Sequence, residues 1–204
     1  MTEHEHFDVV VVGAGISSLS AAKEYLQCAP KTNLLILNDN KTTGGVWSED
    51  RTYSGLQTNN LRGTLELPDH PFGDHLGIKQ MEHPTGEAVH RYLLEYAEKF
   101  KISHRVRHET KALDVQKLDG GWKLMVDNKG RQHSITADKL IVGTGLQSIP
   151  QSLRLKGNAP IFHAGLLVEA RAVLGKDNDV HRVTVCGASK YGWDCVYNMA
   201  SAGK

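Results

Sequence analysis

The stretch Phe7–Val12, FDVVVV, runs directly into GAGISS, and this junction constrains the fold more than any other part of the chain. Its Val9–Val12 part is a short, β-branched run without polar interruption, the pattern of a strand buried on both faces. Gly13-x-Gly15-x-x-Ser18 follows it, and Ile16, Leu19, Ala22 and Leu26 then recur at helical spacing, with Pro30 beyond them. Leu34–Leu37 is a second apolar run. Strand, helix and strand within roughly 30 residues make a βαβ unit, which implies a parallel strand pair. Gly13 permits a tight turn, and Gly15 lets a pyrophosphate approach the backbone. The helix N-terminus adds free N–H groups and a partial positive charge. Ser18 occupies the third position, where Gly or Ala keeps helix and strand close. A ligand-free tight turn could use the same residues, but the βαβ context is what gives the spacing its meaning as a dinucleotide turn.

About 20 residues further on, such a fold places Asp or Glu against a ribose hydroxyl pair. Asn38 holds that place, followed by Asp39. A hydrogen bond to a charged partner contributes about 1.5–3 kcal/mol and a neutral one about 1, so Asn38 implies roughly tenfold weaker binding unless Asp39 compensates.

Residues 38–86 are rich in Gly, Pro, Asn, Asp and Thr and read as loops. Gly86–Phe100 reads as an amphipathic helix with Val89, Leu93, Tyr96, Ala97 and Phe100 on one face. Glu87–Arg91 and Glu95–Lys99 stand at i,i+4 ion-pair spacing. Strand-like pieces follow at Trp122–Val126 and Gln132–Thr136, joined by a DNKG turn, and Lys139–Val142 is a further strand entering GTG. The polar stretch after Pro150 reads as a linker. Val183 starts a second strand–turn–helix with Gly187-Ala188-Ser189-Lys190-Tyr191-Gly192 in the turn.

The formal net charge of the 204 residues is +1, which gives no electrostatic case for nucleic acid. No apolar run approaches the roughly 20 residues of a membrane span, and MTEHEH is unlike a signal peptide. Cys28, Cys186 and Cys195 form no CxxC pair, which argues against a disulfide reductase and for reduced thiols in a cytoplasmic location. His4 and His6 are the closest histidine pair, and no spacing implies further ligands, so no metal site is expected.

Gly44-Gly45-Val46-Trp47, followed by the Thr58-Asn59 pair and by LIVGTG at 140–145, resembles the class B flavin monooxygenases, the flavin-containing and Baeyer–Villiger-type enzymes. The variants GGVWS and GASKYGWD are similar to the fungal secondary-metabolism branch. The resemblance covers nearly the whole chain. It implies an α/β fold: a Rossmann-like FAD-binding domain with a small β-meander at 1–150, a linker at 151–182, and at 183–204 the first βα unit of an NADPH-binding Rossmann domain. By resemblance, Gly13, Gly15 and Ser18 hold the FAD pyrophosphate, and Asn38 or Asp39 faces the ribose. Gly45, Val46 and Trp47 line the flavin end. Thr58 and Asn59 lie near the flavin ring, with Asn59 the residue closest to catalysis. Gly187, Ser189 and Gly192 take the NADPH phosphate-loop places. The implied reaction is NADPH-linked oxygenation of a small organic metabolite. Plainer readings coexist with these: GGVW as a turn with a core tryptophan, Asn59 and Asn60 as caps for loop backbone, and Trp122 and Trp193 as core or helix-face residues.

The chain departs from the family pattern in three places. In the fingerprint between the two nucleotide motifs, His163 is kept, while the Gly and both aromatic positions are replaced, Leu167 taking the last of them. Ser189 replaces the second glycine of the second motif, where a Cβ restricts backbone approach. The rest of the NADPH domain and the returning part of the FAD domain are expected after Lys204, so the chain is expected to be a C-terminally truncated member. That expectation keeps two alternatives open: a truncated homologue that is inactive or uses the flavin fold as a non-redox binding or cyclisation scaffold, and a protein partner completing the sheet edge left at Val183–Val185.

Overall fold

The strand that opens the chain lies in the middle of its sheet. In the computed structural model, which describes residues 5–53, 55–146, 156–158, 160–163, 180, 182–201 and 203, β1 (Glu5–Val12) pairs in parallel with β2 (Leu34–Leu37) and with β6 (Arg131–Val142). β3 (Val106–Arg107), β4 (Thr110–Leu118) and β5 (Gly121–Asn128) complete the order β3-β2-β1-β6-β5-β4. Val9, Val10 and Val11 are fully buried, as a strand with neighbours on both sides and cover on both faces requires. Val9, Val11, Leu34 and Ile36 join the core on one face. Val10, Leu35 and Leu37 join Leu124, Val126, Ile135 and Ala137 on the other.

The helix α1 (Ile16–Cys28) returns the chain from β1 to β2. Of its predicted inner stripe, Leu19 and Ala22 are fully buried, and Ile16 and Leu26 pack at the margin. The second helix, α2 (Gly86–Lys99), starts at Thr85, whose Oγ1 accepts from Ala88 N at 3.2 Å. Val89, Leu93, Tyr96 and Ala97 are buried as the periodicity predicts, with Phe100 as the capping residue packed on the same core.

The sequence predicted separate strands at Gln132–Thr136 and Lys139–Val142, but they form one strand. The first part of β6 pairs antiparallel with β5, and its second part runs parallel to β1. Asp138 interrupts the apolar pattern without interrupting the strand, because its side chain points outward to His6 Nε2 at 3.3 Å. The DNKG turn forms as predicted: Lys129 and Gly130 have φ of +52° and +83°, and Gly130 N donates to Asp127 Oδ1 at 2.6 Å.

The predicted i,i+4 pairs on α2 do not form, because tertiary partners take those side chains. Arg91 donates to Leu76 O at 3.2 Å, Glu95 meets His75 Nε2 at 2.9 Å, and Lys99 donates to Asp69 O at 2.6 Å. Together with Tyr92, whose hydroxyl accepts from Leu67 N at 2.7 Å and donates to His70 O at 2.6 Å, they fasten the irregular loop to the helix. Lys23 of α1 adds an ion pair to Asp69.

The described residues fall into two compact units, one from residues 5–52 and 58–146, the other from residues 53 and 55–57 with those beyond 146. In the second unit, α3 (Lys190–Ser201) packs Cys195 and Met199 against Tyr53, Leu56, Phe162 and Val183. The predicted strand at Val183–Val185 is not one: residues 182–188 are without regular secondary structure. Val183 and Val185 are half-buried between exposed Arg182 and Thr184, so the alternation is present, but a strand also requires a hydrogen-bonded neighbour, and none stands beside it among the described residues. Pro150, Leu167 and most of the expected linker at 151–182 lie outside the described residues.

Candidate functional site

The strands β1, β2 and β6 end level with one another, since Val12 is in register with both Leu37 and Val142. Gly13, Asn38 and Gly143 therefore emerge side by side at the carboxyl edge. α1 carries the chain from β1 to one side, and β6 enters on the other. This is the reversal point at which open α/β sheets form their binding crevice.

Gly13 has φ of +102°, its N–H donates to Leu37 O at 2.8 Å, and a Cβ on it would lie 2.3 Å from Gly143 O. The protein's own packing therefore demands glycine there. Gly15 is different. It is the N-cap of α1 in ordinary extended conformation, and a Cβ on it would make only ordinary contact, 3.7 Å from Gly45 Cα. No side chain caps α1, and no acidic residue occupies its first turn, so the first N–H groups of the helix keep their hydrogen-bonding capacity.

The GGVW segment reaches this turn from 30 residues away in sequence. Gly44 N donates to Ala14 O at 2.9 Å, and Gly15 and Gly44 form a parallel bridge. At Gly45, with φ of +64°, a Cβ would stand 2.8 Å from Gly15 Cα. Val46 is 53% exposed beside the junction, and Trp47 packs partly against the main core, so the tryptophan also fulfils its plainer reading. The two glycine segments form a close-approach surface at an uncapped helix end, which fits a diphosphate bound through backbone N–H groups.

Other expected site residues sit differently. Ser18 is fully buried, and its Oγ donates to Gly143 O at 3.3 Å, so it holds the end of β6 against α1. Asn38 is buried as well. Its Nδ2 donates to Thr42 O at 2.9 Å and Asn40 O at 3.2 Å and lies 3.0 Å from His108 Nδ1, while its Oδ1 receives Asn40 N at 3.4 Å. Its amide thus clamps the chain leaving β2. Asp39 is exposed, 4.0 Å from Lys111 Nζ. Thr58 is buried, with its hydroxyl donating to Asn60 O at 2.6 Å and its N–H to Pro84 O at 2.9 Å; Asn59 is exposed. Sequence reasoning missed Gly44 and Gly143 as members of the junction. The signal for Gly143 was its place directly after the apolar run of β6, the same relation that Gly13 has to β1.

In the second unit, Gly187 has φ of +129°, Ser189 is exposed with its carbonyl accepting from Trp193 N at 3.1 Å, and a Cβ on Gly192 would stand 2.4 Å from Gly187 O. Gly187 and Gly192 are thus glycines for conformation and for close packing. Trp193 is 70% exposed on the helix face. Among the described residues no helix is long and apolar enough to cross a membrane.

With this geometry in place, the sequence pattern of the pyridine nucleotide-disulphide oxidoreductases matches residues 7–204. The chain belongs to that family. Within it, the similarity is to flavin-dependent monooxygenases. An FAD-dependent monooxygenase of Pyrenophora dematioidea is 35% identical over 97% of this chain and 38% of its own length, and one from Aspergillus sclerotiorum is 34% identical over 97% and 36%. The chain thus spans less than two fifths of the length of these relatives. A solved oxidized steroid monooxygenase bound to NADP shares the fold, with a TM-score of 0.58 and 24% identity over 74% of this chain and 28% of that one.

Proposed function

We propose that the chain is the nucleotide-binding portion of an FAD- and NADPH-dependent monooxygenase acting on a small organic metabolite; FAD dependence and monooxygenation are what its fungal relatives' names carry. One observation carries the reading: the open backbone of Gly15, faced by Gly44 and Gly45, at the uncapped start of α1. Residues 1–150 then form the FAD-binding domain, 151–182 the linker and 183–204 the start of the NADPH-binding domain. Bound FAD, reduced by NADPH, would supply the chemistry that passes one atom of dioxygen to the substrate and releases the other as water. Gly13 shapes the turn, and Gly15 with the first N–H groups of α1 receives the diphosphate. Gly45, Val46 and Trp47 flank the flavin end, with Thr58 and Asn59 toward the ring. Asp39, exposed where Asn38 is not and paired only at 4.0 Å with Lys111, is the side chain to meet a ribose hydroxyl. Gly187, Ser189 and Gly192 form the second dinucleotide turn. The free thiols of Cys28, Cys186 and Cys195 accord with a cytoplasmic location.

A second reading, that another polypeptide completes the C-terminal unit, is favoured by the unladdered residues 182–188. The test for the first is to load the full chain with FAD, remove free cofactor and follow absorbance near 450 nm, a general property of oxidised flavins, during anaerobic mixing with NADPH. Retained absorbance that NADPH bleaches is expected. Absence of retained flavin overturns the FAD assignment, and retained flavin that NADPH leaves oxidised favours the scaffold alternative.

A further inference from the structure

Lys190 stands at the electrostatically unfavourable end of its helix. It is the first residue of α3, where the aligned peptide dipoles already place positive charge. Its Nζ nevertheless has a fixed position, 2.5 and 2.6 Å from the two carboxylate oxygens of Asp194 one turn later. The same carboxylate accepts the hydroxyl of buried Tyr53 at 2.5 Å. The Asp194 side chain is 12% exposed and that of Lys190 is 38% exposed, so the carboxylate is the enclosed end of the pair and the ammonium the open end. An ammonium has three N–H donors, and Asp194 takes two. A lysine held by a carboxylate is also how protein kinases position the cation that meets nucleotide phosphates.

We propose that Lys190 is an anion-binding residue of the second glycine turn, that Asp194 and Tyr53 are the positioning residues for its ammonium, and that its ligand is the diphosphate of a nicotinamide dinucleotide. This rests on the reading of residues 187–192 as a dinucleotide turn. The ammonium reaches a phosphate oxygen from the side, so it offsets the backbone approach that the Cβ of Ser189 restricts. Burial, first, and the bond to Asp194 raise the Tyr53 phenol well above its usual range, so Tyr53 remains a donor at neutral pH.

The test is calorimetric titration of the full chain with NADP+ and with NAD+ at several salt concentrations, with thermal unfolding followed by circular dichroism as the control for folding. Lys190→Met and Lys190→Gln are expected to weaken both dinucleotides roughly tenfold or more, the loss of a charged hydrogen bond, and to flatten the salt dependence of binding. Lys190→Arg is expected to keep most of the affinity. Tyr53→Phe, which leaves the charge in place, is expected to weaken binding a few-fold with the salt dependence unchanged. Unaltered affinity in folded Lys190→Met and Lys190→Gln overturns the inference while leaving the dinucleotide turn standing. A loss confined to NADP+ overturns the diphosphate assignment in favour of the 2′-phosphate. Unaltered affinity in Tyr53→Phe removes Tyr53 from the positioning role. Failure of the wild-type chain to bind either dinucleotide overturns the reading of the turn itself and the inference with it.

Discussion

The chain makes two glycine turns of related sequence, GAGISS at 13–18 and GASKYG at 187–192, in very different surroundings. Before the first lies a strand laddered on both sides, and the turn is pressed between Gly143, just after β6, and Gly44–Gly45. Before the second, residues 182–186 alternate in burial, and among the described residues no ladder partner stands beside them and no heavy atom lies within 4 Å of where a Cβ on Gly187 would be. The local pattern that makes a turn and starts a helix is therefore sufficient for both. The ladder that turns the preceding residues into a strand comes from distant parts of the chain. The third position shows the same contrast. Ser18 is accommodated in the first turn because its hydroxyl finds the Gly143 carbonyl, whereas Gly192 lies directly against Gly187 O.

Gly13→Ala tests this contrast most severely. With φ at +102° and a Cβ 2.3 Å from Gly143 O, it combines backbone strain with overpacking and is expected to cost about 3 kcal/mol or more in denaturant unfolding. Full stability in this variant would show that the first turn is as loosely held as the second.

Tyr92→Phe comes next, at about 1–3 kcal/mol, because the change leaves Leu67 N–H and His70 O without their buried partner. Burial pushes the Tyr92 phenol up to about 12 from 10.0. A raised folded-state value means that the unfolded chain releases the proton first. The stabilisation is complete below pH about 10 and is lost as pH rises toward about 12. The unfolding free energy of the wild-type chain should fall through that window, and Tyr92→Phe should show a shallower fall.

Gly187→Ala introduces strain at φ +129° without a clash, so its expected cost is about 1 kcal/mol, read from the same unfolding curves. A cost equal to that of Gly13→Ala would show that the second turn has neighbours as close as the first. Ser18→Ala is the smallest, below about 1 kcal/mol, since the bond it removes is 3.3 Å long.

Much of the first unit was legible because its signals are local. The FDVVVV run, the glycine spacing and the α2 periodicity specify β1, the first turn and α2, and each forms where expected. The continuity of β6 was not legible, because outward-facing Asp138 breaks the apolar pattern while leaving the backbone extended. Nor was β4, whose residues alternate poorly because it is an exposed edge strand with a bulge between Ala112 and Asp114. At the candidate site, sequence spacing put forward Asn38, or Asp39 beside it, for the ribose position. It could not show that the Asn38 amide is committed to Asn40 and Thr42, since the direction of a side chain is set by how the loop folds back.

By itself, the sequence determined the βαβ start, the two glycine turns and the helices that follow them, because turn conformation and helix periodicity depend on residues within a few positions of one another. Only the tertiary structure decided that GGVW meets GAG, that Ser18 faces inward, that the ion-pair residues of α2 serve the loop, and that Tyr53 and Lys190 share one carboxylate. Those outcomes depend on groups separated by many residues, and on which donors and acceptors the closed sheet and its loops bring within hydrogen-bonding distance.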